Sequence, residues 1–267
     1  MLSERRYSVL QSVIREYVQS VHPVGSRTLV RYYMPRLSAA TVRNELMWLE
    51  DKGYVISPHT SAGRIPTNVG YRTFVNSLLL HPEFIKHRVR PLADFGPQPA
   101  LPLISAIKAA GNLHDKARMV GELLAFFAQY TNSLLVLWLP QISATVYHRG
   151  LPLLLRQPEF TNVAAAVPLM QLLENQGDLL DILKDIATSG GLHVRIGAEN
   201  NDAQLYQFSL VAASFDASSM AANTVFSPAP GAVRGENNGV VALFGPTRMD
   251  YQKAISAICT IADDAEG

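Results

Sequence analysis

Arg43 and Asn44 are adjacent side chains whose shapes suit one chemistry in particular. A guanidinium can donate two hydrogen bonds to guanine O6 and N7, and a carboxamide can pair in the same two-pronged way with adenine N6 and N7. Both sit in a run that opens at Ser38, a helix-capping residue type, and closes before Gly53, which suits a helix C-terminus. Projected at about 100° per residue, Ala39, Val42, Leu46 and Leu49 share one face, which must be the core face. The opposite face carries Ala40, Asn44, Met47 and Asp51, flanked by Thr41, Arg43 and Trp48. Ala40 is small enough to approach a thymine methyl group, and Thr41 with the open amides at the helix start suits phosphate. Taken alone, Arg43 and Asn44 are equally well explained as solvated surface groups. What surrounds the helix decides between the two readings.

Ser3 caps a first helix that runs to about Ser20, with Leu10, Val13, Ile14, Tyr17 and Val18 as its apolar stripe. His22-Pro23 stops it. Ser26 is expected to cap a short second helix, Arg27 to Tyr32, and Met34-Pro35 breaks the chain before Ser38. Three short helices with a tight break before the third make a helix-turn-helix pattern. Beyond Gly53, Tyr54-Val55-Ile56 and Arg64-Ile65-Pro66 flank a turn-rich loop, Ser57 to Gly63, which predicts a β-hairpin wing. His59, Thr60, Ser61 and Arg64 stand at or beside its tip and are residue types that bind phosphate or probe a minor groove. Thr67 then caps a fourth helix, Asn68 to Leu80, with Tyr71, Phe74, Val75 and Leu78 facing inward.

The net charge of +1 conceals an asymmetry. Residues 1–90 hold 13 Lys/Arg and 6 Asp/Glu, a net of +7, whereas residues 91–267 hold 10 and 16, a net of −6. A basic N-terminal unit on an acidic remainder suggests a nucleic-acid module joined to a partner or sensor module. With 267 residues, 48% of them hydrophobic and 17% charged, the composition is that of a soluble globular protein. No apolar run approaches the ~18–20 residues of a membrane span. The N-terminus lacks the apolar core of a signal peptide, and the lone Cys259 can form no internal disulfide, so a cytoplasmic protein is expected.

Three segments follow from this: a DNA-binding domain over 1–90, a linker with a helix over 91–132 that is a possible dimerisation element, and an effector domain over 133–267. Four prolines and a glycine between Pro91 and Pro102 mark the linker, and Leu103 to Thr131 has helical spacing. Ser133–Leu139, Leu192–Ile196, Phe208–Phe215 and Val240–Phe244 read as strands; Leu169–Gln176, Leu179–Thr188 and Tyr251–Ile261 read as helices. The second half is therefore α/β or α+β. Asp216 to Asn238, rich in Ser, Ala, Gly and Asn, reads as a long exposed loop.

Other chemistry finds little support. His22, His59, His81, His87, His114, His148 and His193 form neither HExxH nor a close His/Cys pair, so no metal site is expected. There is no GxSxG elbow, P-loop or GxGxxG, and Cys259 lies in an apolar helix, so neither catalytic residues nor a cofactor are expected. The turn Gly245-Pro246 with Thr247 and Arg248 could hold an anion, but a tight strand-to-helix turn stabilised by Arg248 and Asp250 explains it better.

The strings PVGSRTL (Pro23–Leu29), LSAATVRNELMWLEDKGYV (Leu37–Val55) and PHTSAGRIPTNVGYRTFV (Pro58–Val75) closely resemble the HrcA family of heat-inducible transcription repressors. QPEFTNV (Gln157–Val163), VRIGAEN (Val194–Asn200) and FGPTRMDY (Phe244–Tyr251) are similar to that family's effector region. The resemblance implies an α+β chain: an N-terminal winged helix-turn-helix, a helical linker and a GAF-like α/β domain. It also implies a homodimer repressing chaperone operons at an inverted-repeat operator in double-stranded DNA, kept competent by the GroE chaperonin. With Arg27 and Thr28 at the start of helix 2 and Ser38 at the cap of helix 3, the candidate DNA contacts are Arg27, Thr28, Ser38, Ala40, Thr41, Arg43, Asn44, His59, Thr60, Ser61 and Arg64. The chain departs from the family where Leu134–Gln141 passes within a few residues to Tyr147–Phe160, so most of an inserted dimerisation segment is missing. Helix 103–131 is the obvious substitute for it. An alternative is a winged-helix regulator controlled by a small molecule bound in the GAF-like domain.

Overall fold

A computed structural model describes residues 2–59, 63–80, 113–140, 146–217 and 238–266. The chain divides into two compact units, Met1–Pro82 with Thr247–Asp250, and Glu83–Pro246 with Tyr251–Gly267.

The first unit begins with α1 (Glu4–Ser20), capped by Ser3, whose Oγ accepts from the Arg6 amide. The helix ends one residue before Val21, which adopts a left-handed φ of 58° and donates its N–H to the Tyr17 carbonyl. A β-branched residue rarely takes this conformation, and here it turns the chain ahead of Pro23. Helix α2 (Ser26–Tyr32) is preceded by Gly25, so Ser26 is a residue of the first turn rather than its cap. Helix α3 (Ala39–Asp51) is capped by Ser38, whose Oγ accepts from the Thr41 amide at 3.0 Å. Strands β1 (Val55–Ile56) and β2 (Ile65–Pro66) pair antiparallel, Val55 opposite Pro66 and Ile56 opposite Ile65. Helix α4 (Asn68–Leu80) follows, with the Gly70 amide donating to Thr67 Oγ1. Val9, Leu10, Val13, Leu29, Val42, Leu49, Val55 and Val75 form the dry centre. The element order is that of a winged helix-turn-helix.

Two glycines set the spacing of these parts. A Cβ on Gly63 would lie 2.4 Å from the Val24 carbonyl carbon, and one on Gly70 would lie 2.2 Å from the Tyr54 carbonyl oxygen. Both are closer than any side chain allows, so the base of the hairpin presses on the α1–α2 connection, and α4 on the end of α3, through bare backbone. Val24 and Arg64 exchange both backbone hydrogen bonds across the first of these contacts.

The second unit is built on a five-stranded antiparallel sheet. Its strands are β3 (Leu134–Trp138), β4 (Val146–Arg149), β5 (Leu192–Ile196), β6 (Phe208–Asp216) and β7 (Asn238–Pro246), in the order β4-β3-β7-β6-β5. Before the sheet comes α5 (Leu113–Thr131). Between β4 and β5 lie α6 (Leu151–Leu155), α7 (Val163–Glu174) and α8 (Gln176–Ser189), and α9 (Tyr251–Glu266) follows β7. Helices pack on both faces. Because every strand pair is antiparallel, the chain as a whole is α+β. On one face, Leu134, Val136, Phe208, Leu210, Ala242 and Phe244 bury against Leu169, Leu183 and Ile186 of α7 and α8. On the other, Leu135, Leu137, Val211 and Leu243 alternate toward α5 and α9, whose Val120, Leu124, Phe127, Ile255 and Ile258 are buried.

Several expectations change here. β4 was not anticipated: His148 and Arg149 are exposed, so the strand lacks an apolar run. Helix α7 starts six residues before Leu169, because Pro168 is accommodated within it rather than stopping it. The apolar stripe of α5, offered above as a dimer element, packs within its own unit. β6 and β7 run on to pair Asp216 with Asn238. The body of the expected loop, residues 218–237, lies outside the described residues, as do the expected linker, 91–102, and the first ten residues, 103–112, of the expected helix.

Candidate nucleic-acid interface

Helix α3 has a fixed rotation about its axis. Val42, Leu46 and Leu49 are buried, as expected, and so is Glu45, at 6% exposure. The Glu45 carboxylate meets Arg5 Nη2 at 2.6 Å and Arg6 Nε at 2.9 Å. The Arg6 guanidinium also lies 3.9 Å from the centre of the Trp48 ring. Such charge-assisted pairs are short and directional, so α1 and α3 are joined by a contact that fixes angle as well as distance. The sequence reading missed Glu45. Its signal was a carboxylate beside the core face of α3 with two consecutive arginines in an earlier helix, but only the crossing of α1 and α3 brings them together.

With that face locked, Ala40, Arg43 and Asn44 are all exposed, on the side of α3 away from the core. Thr41 is half-buried, and its Oγ1 lies 2.9 Å from Ser38 Oγ. Ser38 is exposed but engaged as the cap. Arg27 is exposed and Thr28 half-buried at the start of α2.

The wing differs from expectation in one important residue. Arg64, beside the loop as expected, does not stand open to solvent: its side chain is 21% exposed and its Nη2 pairs with Glu50 Oε2 at 2.6 Å. Glu50 Oε1 in turn accepts from the Ser57 amide at 3.0 Å. One carboxylate from the last turn of α3 thus holds both strands of the hairpin, at a charged group on one and a backbone amide on the other. Arg64 is a tether of the wing, because a carboxylate one helix turn from the hairpin base outcompetes solvent for it. His59 is exposed on the ascending side of the loop and its carbonyl accepts from Ser57 Oγ. Thr60 and Ser61 lie outside the described residues.

In the second unit, Tyr251 OH and Ser209 Oγ lie 2.7 Å apart in the core, and Asn200 Nδ2 donates to the carbonyls of Gly197, Leu205 and Phe208. These polar groups are satisfied inside the unit and hold strands and turns in place. Among the described residues, no cluster of three His, Cys, Asp or Glu side chains is placed to hold a metal ion, and no helix is long and apolar enough to cross a membrane.

Residues 104–255 match the family model described as the HrcA protein C terminal domain. The chain belongs to the HrcA family. It is similar to the heat-inducible transcription repressor HrcA of Natranaerobius thermophilus, with 28% identity over 347 positions, covering 98% of this chain and 96% of that one. It is also similar to the repressor of the same name from Desulforamulus reducens, 27% identical over 342 positions, covering 96% and 94%. An alignment of 347 positions against 267 residues leaves at least 80 positions of the HrcA relative without a counterpart here. A solved structure, a hypothetical protein at 2.2 Å resolution, shares the fold with a TM-score of 0.66 at 18% identity, covering 98% of this chain and 97% of that one.

Proposed function

We propose that this chain is a DNA-binding repressor of heat-shock operons that lays α3 in the major groove of an inverted-repeat operator. The observation that carries this is the exposed Arg43–Asn44–Ala40 face of a helix whose opposite face is clamped by core packing and by the Glu45 ion pairs. A helix held in this way presents base-reading groups without first ordering them, which keeps the entropic penalty of docking small. Arg43 and Asn44 read base edges. Arg27, Thr28, Ser38 and Thr41 contact the phosphates, and the loop residues His59, Thr60 and Ser61 bind phosphate or probe the minor groove. Arg64 contributes through the wing's position. The basic balance of residues 1–90 supports this reading, as do the names of the relatives.

An inverted repeat requires two copies of α3 related by a two-fold axis, so the acting species is a homodimer in the cytoplasm. The missing positions are most of the inserted dimerisation segment, where β3 passes to β4. The GroE chaperonin, implied by the family resemblance, keeps the repressor competent, and repression lapses when the chaperonin is occupied.

The deciding experiment is fluorescence anisotropy of the full chain on an inverted-repeat operator of the HrcA type and on a scrambled duplex, across a salt series. Specific binding is typically ~10³–10⁷ tighter than non-specific binding, and a gap of that order with two protomers per duplex is expected. Equal, salt-sensitive affinity for both duplexes, unchanged by added chaperonin, refutes the reading.

A second reading, control by a small molecule, has one observation in its favour. A cavity of about 280 Å³ lies between α8, β5 and the turn at Asn200–Leu205, with Asp181, Asp185, Arg195 and Asp202 around an apolar floor of Leu205, Leu210 and Phe244. A small ligand that both raises the melting temperature and alters operator affinity would favour it.

A further inference from the structure

The exposed face of α3 carries one large apolar side chain to which the base and phosphate contacts above give no task. Met47 is 51% exposed. On the helical projection it falls between Arg43 and Asn44, about 40° from one and 60° from the other, and about 4.5 Å along the axis from Asn44. Scattered apolar residues on a surface are ordinary, but the position of this one is constrained. Val42, Leu46, Leu49 and Glu45 are buried, and Glu45 is held by two arginines, so α3 cannot roll to cover Met47. The neighbouring aromatic ring offers no shelter, since Trp48 stacks with Tyr54 and has Arg6 over its face.

A groove-facing apolar side chain meets one apolar feature among the base edges of the major groove, the C5-methyl of thymine. We infer that Met47 reads a thymine methyl group, making it a specificity-determining residue of the operator contact. The inference rests on the reading of α3 as the groove-binding helix. An unbranched thioether is long and adaptable enough to follow the methyl group across the groove. Ala40, the other apolar residue of this face, is seven residues back, about 10.5 Å along the axis. That is about three base-pair steps of 3.4 Å, so the two residues address different thymines.

The test uses the full chain and an inverted-repeat duplex that it selects from a randomised pool. Each thymine of the half-site is replaced in turn, symmetrically, by deoxyuridine, which removes the methyl group alone. Wild type, Met47→Ala, Met47→Leu, Ala40→Gly and Asn44→Ala are titrated against the set. At one thymine, the wild type is expected to lose about four-fold in affinity per half-site, the loss of one buried methyl group. That loss should vanish in Met47→Ala and persist in Met47→Leu and Ala40→Gly. Identical deoxyuridine effects in Met47→Ala and wild type overturn the inference, as does a half-site in which no thymine responds. Asn44→Ala separates this failure from a deeper one. If it abolishes operator preference while Met47 shows no coupling, the groove reading stands and only the Met47 assignment falls. If it leaves preference intact, the groove reading falls too, and the Met47 assignment with it.

Discussion

In the first unit, two glutamates of a single helix hold arginines from other elements: Glu45 takes Arg5 and Arg6 of the first helix, and Glu50 takes Arg64 of the wing. In the second unit the central strands β3, β6 and β7 carry buried side chains on both faces, and the polar groups of Ser209, Tyr251 and Asn200 find their partners inside that packing. One unit is oriented by a few directional contacts around a helix with an open face. The other is held by buried area. The contrast implies different responses to substitution. Truncation in the sheet should remove stability broadly, whereas removing a tether in the winged helix should loosen one element and alter DNA affinity more than folding.

The largest expected effect tests the buried side of that contrast. Phe244 is almost fully buried on β7, opposite Leu134 on one neighbouring strand and Leu210 on the other. Phe244→Ala should reduce the stability of the second unit by about 3–5 kcal/mol, read as lost protection of β6 and β7 amides in hydrogen exchange. A loss below ~1 kcal/mol would mean that the sheet's packing is loose enough to close over the gap, and the contrast between the units would fail.

The next test is smaller and concerns the tethers. Glu50→Ala and Arg64→Ala should each loosen the wing, Glu50→Ala more because it also frees the Ser57 amide, and the double variant should be no worse than Glu50→Ala alone, with a coupling energy of about 1 kcal/mol for a partly shielded pair. Exchange at Ile56 and Ile65 is the readout, because these residues pair across the hairpin. If Arg64→Ala instead leaves wing protection intact and lowers the salt slope of DNA binding by about one, Arg64 is a phosphate contact and the ion pair with Glu50 is incidental.

These two sites also show why parts of the molecule could be read from sequence and others could not. The periodicity of Val42, Leu46 and Leu49 and the caps at Ser3, Ser38 and Thr67 are local signals, and the structure follows them closely. So are the apolar runs at β3, β6 and β7 and the alternation at β5. The partners of Glu45 and Glu50 are 39 and 14 residues away in sequence at Arg6 and Arg64, and nothing local distinguishes a tethered arginine from a solvated one. Strand β4 was invisible for a related reason: at an edge, with His148 and Arg149 turned to solvent, it needs no apolar pattern. The strand order β4-β3-β7-β6-β5 is likewise a product of pairing between distant segments.

That edge strand supplies the smallest effect, and the one that reaches the boundary of the contrast. His148 lies on β4 opposite Val136, and partial burial of its ring, with the Arg149 charge beside it, holds its pKa below the usual value near 6.5. Both influences disfavour the imidazolium in the folded protein. Below about pH 6.5 the unfolded chain therefore takes up a proton that the folded chain resists, so stability is retained above that pH and declines as pH falls from there toward the lowered value. His148→Gln should remove this decline while leaving stability at pH 7.5 nearly unchanged, as shown by denaturant midpoints measured at pH 7.5 and 5.5. The difference between wild type and variant should be slight, since the side chain is largely open to solvent. An equal loss in both proteins would mean that β4 responds to its ionisable groups no more than the interior strands do. The second unit would then be governed by buried area to its very edge, and the contrast with the tethered first unit would be sharper still.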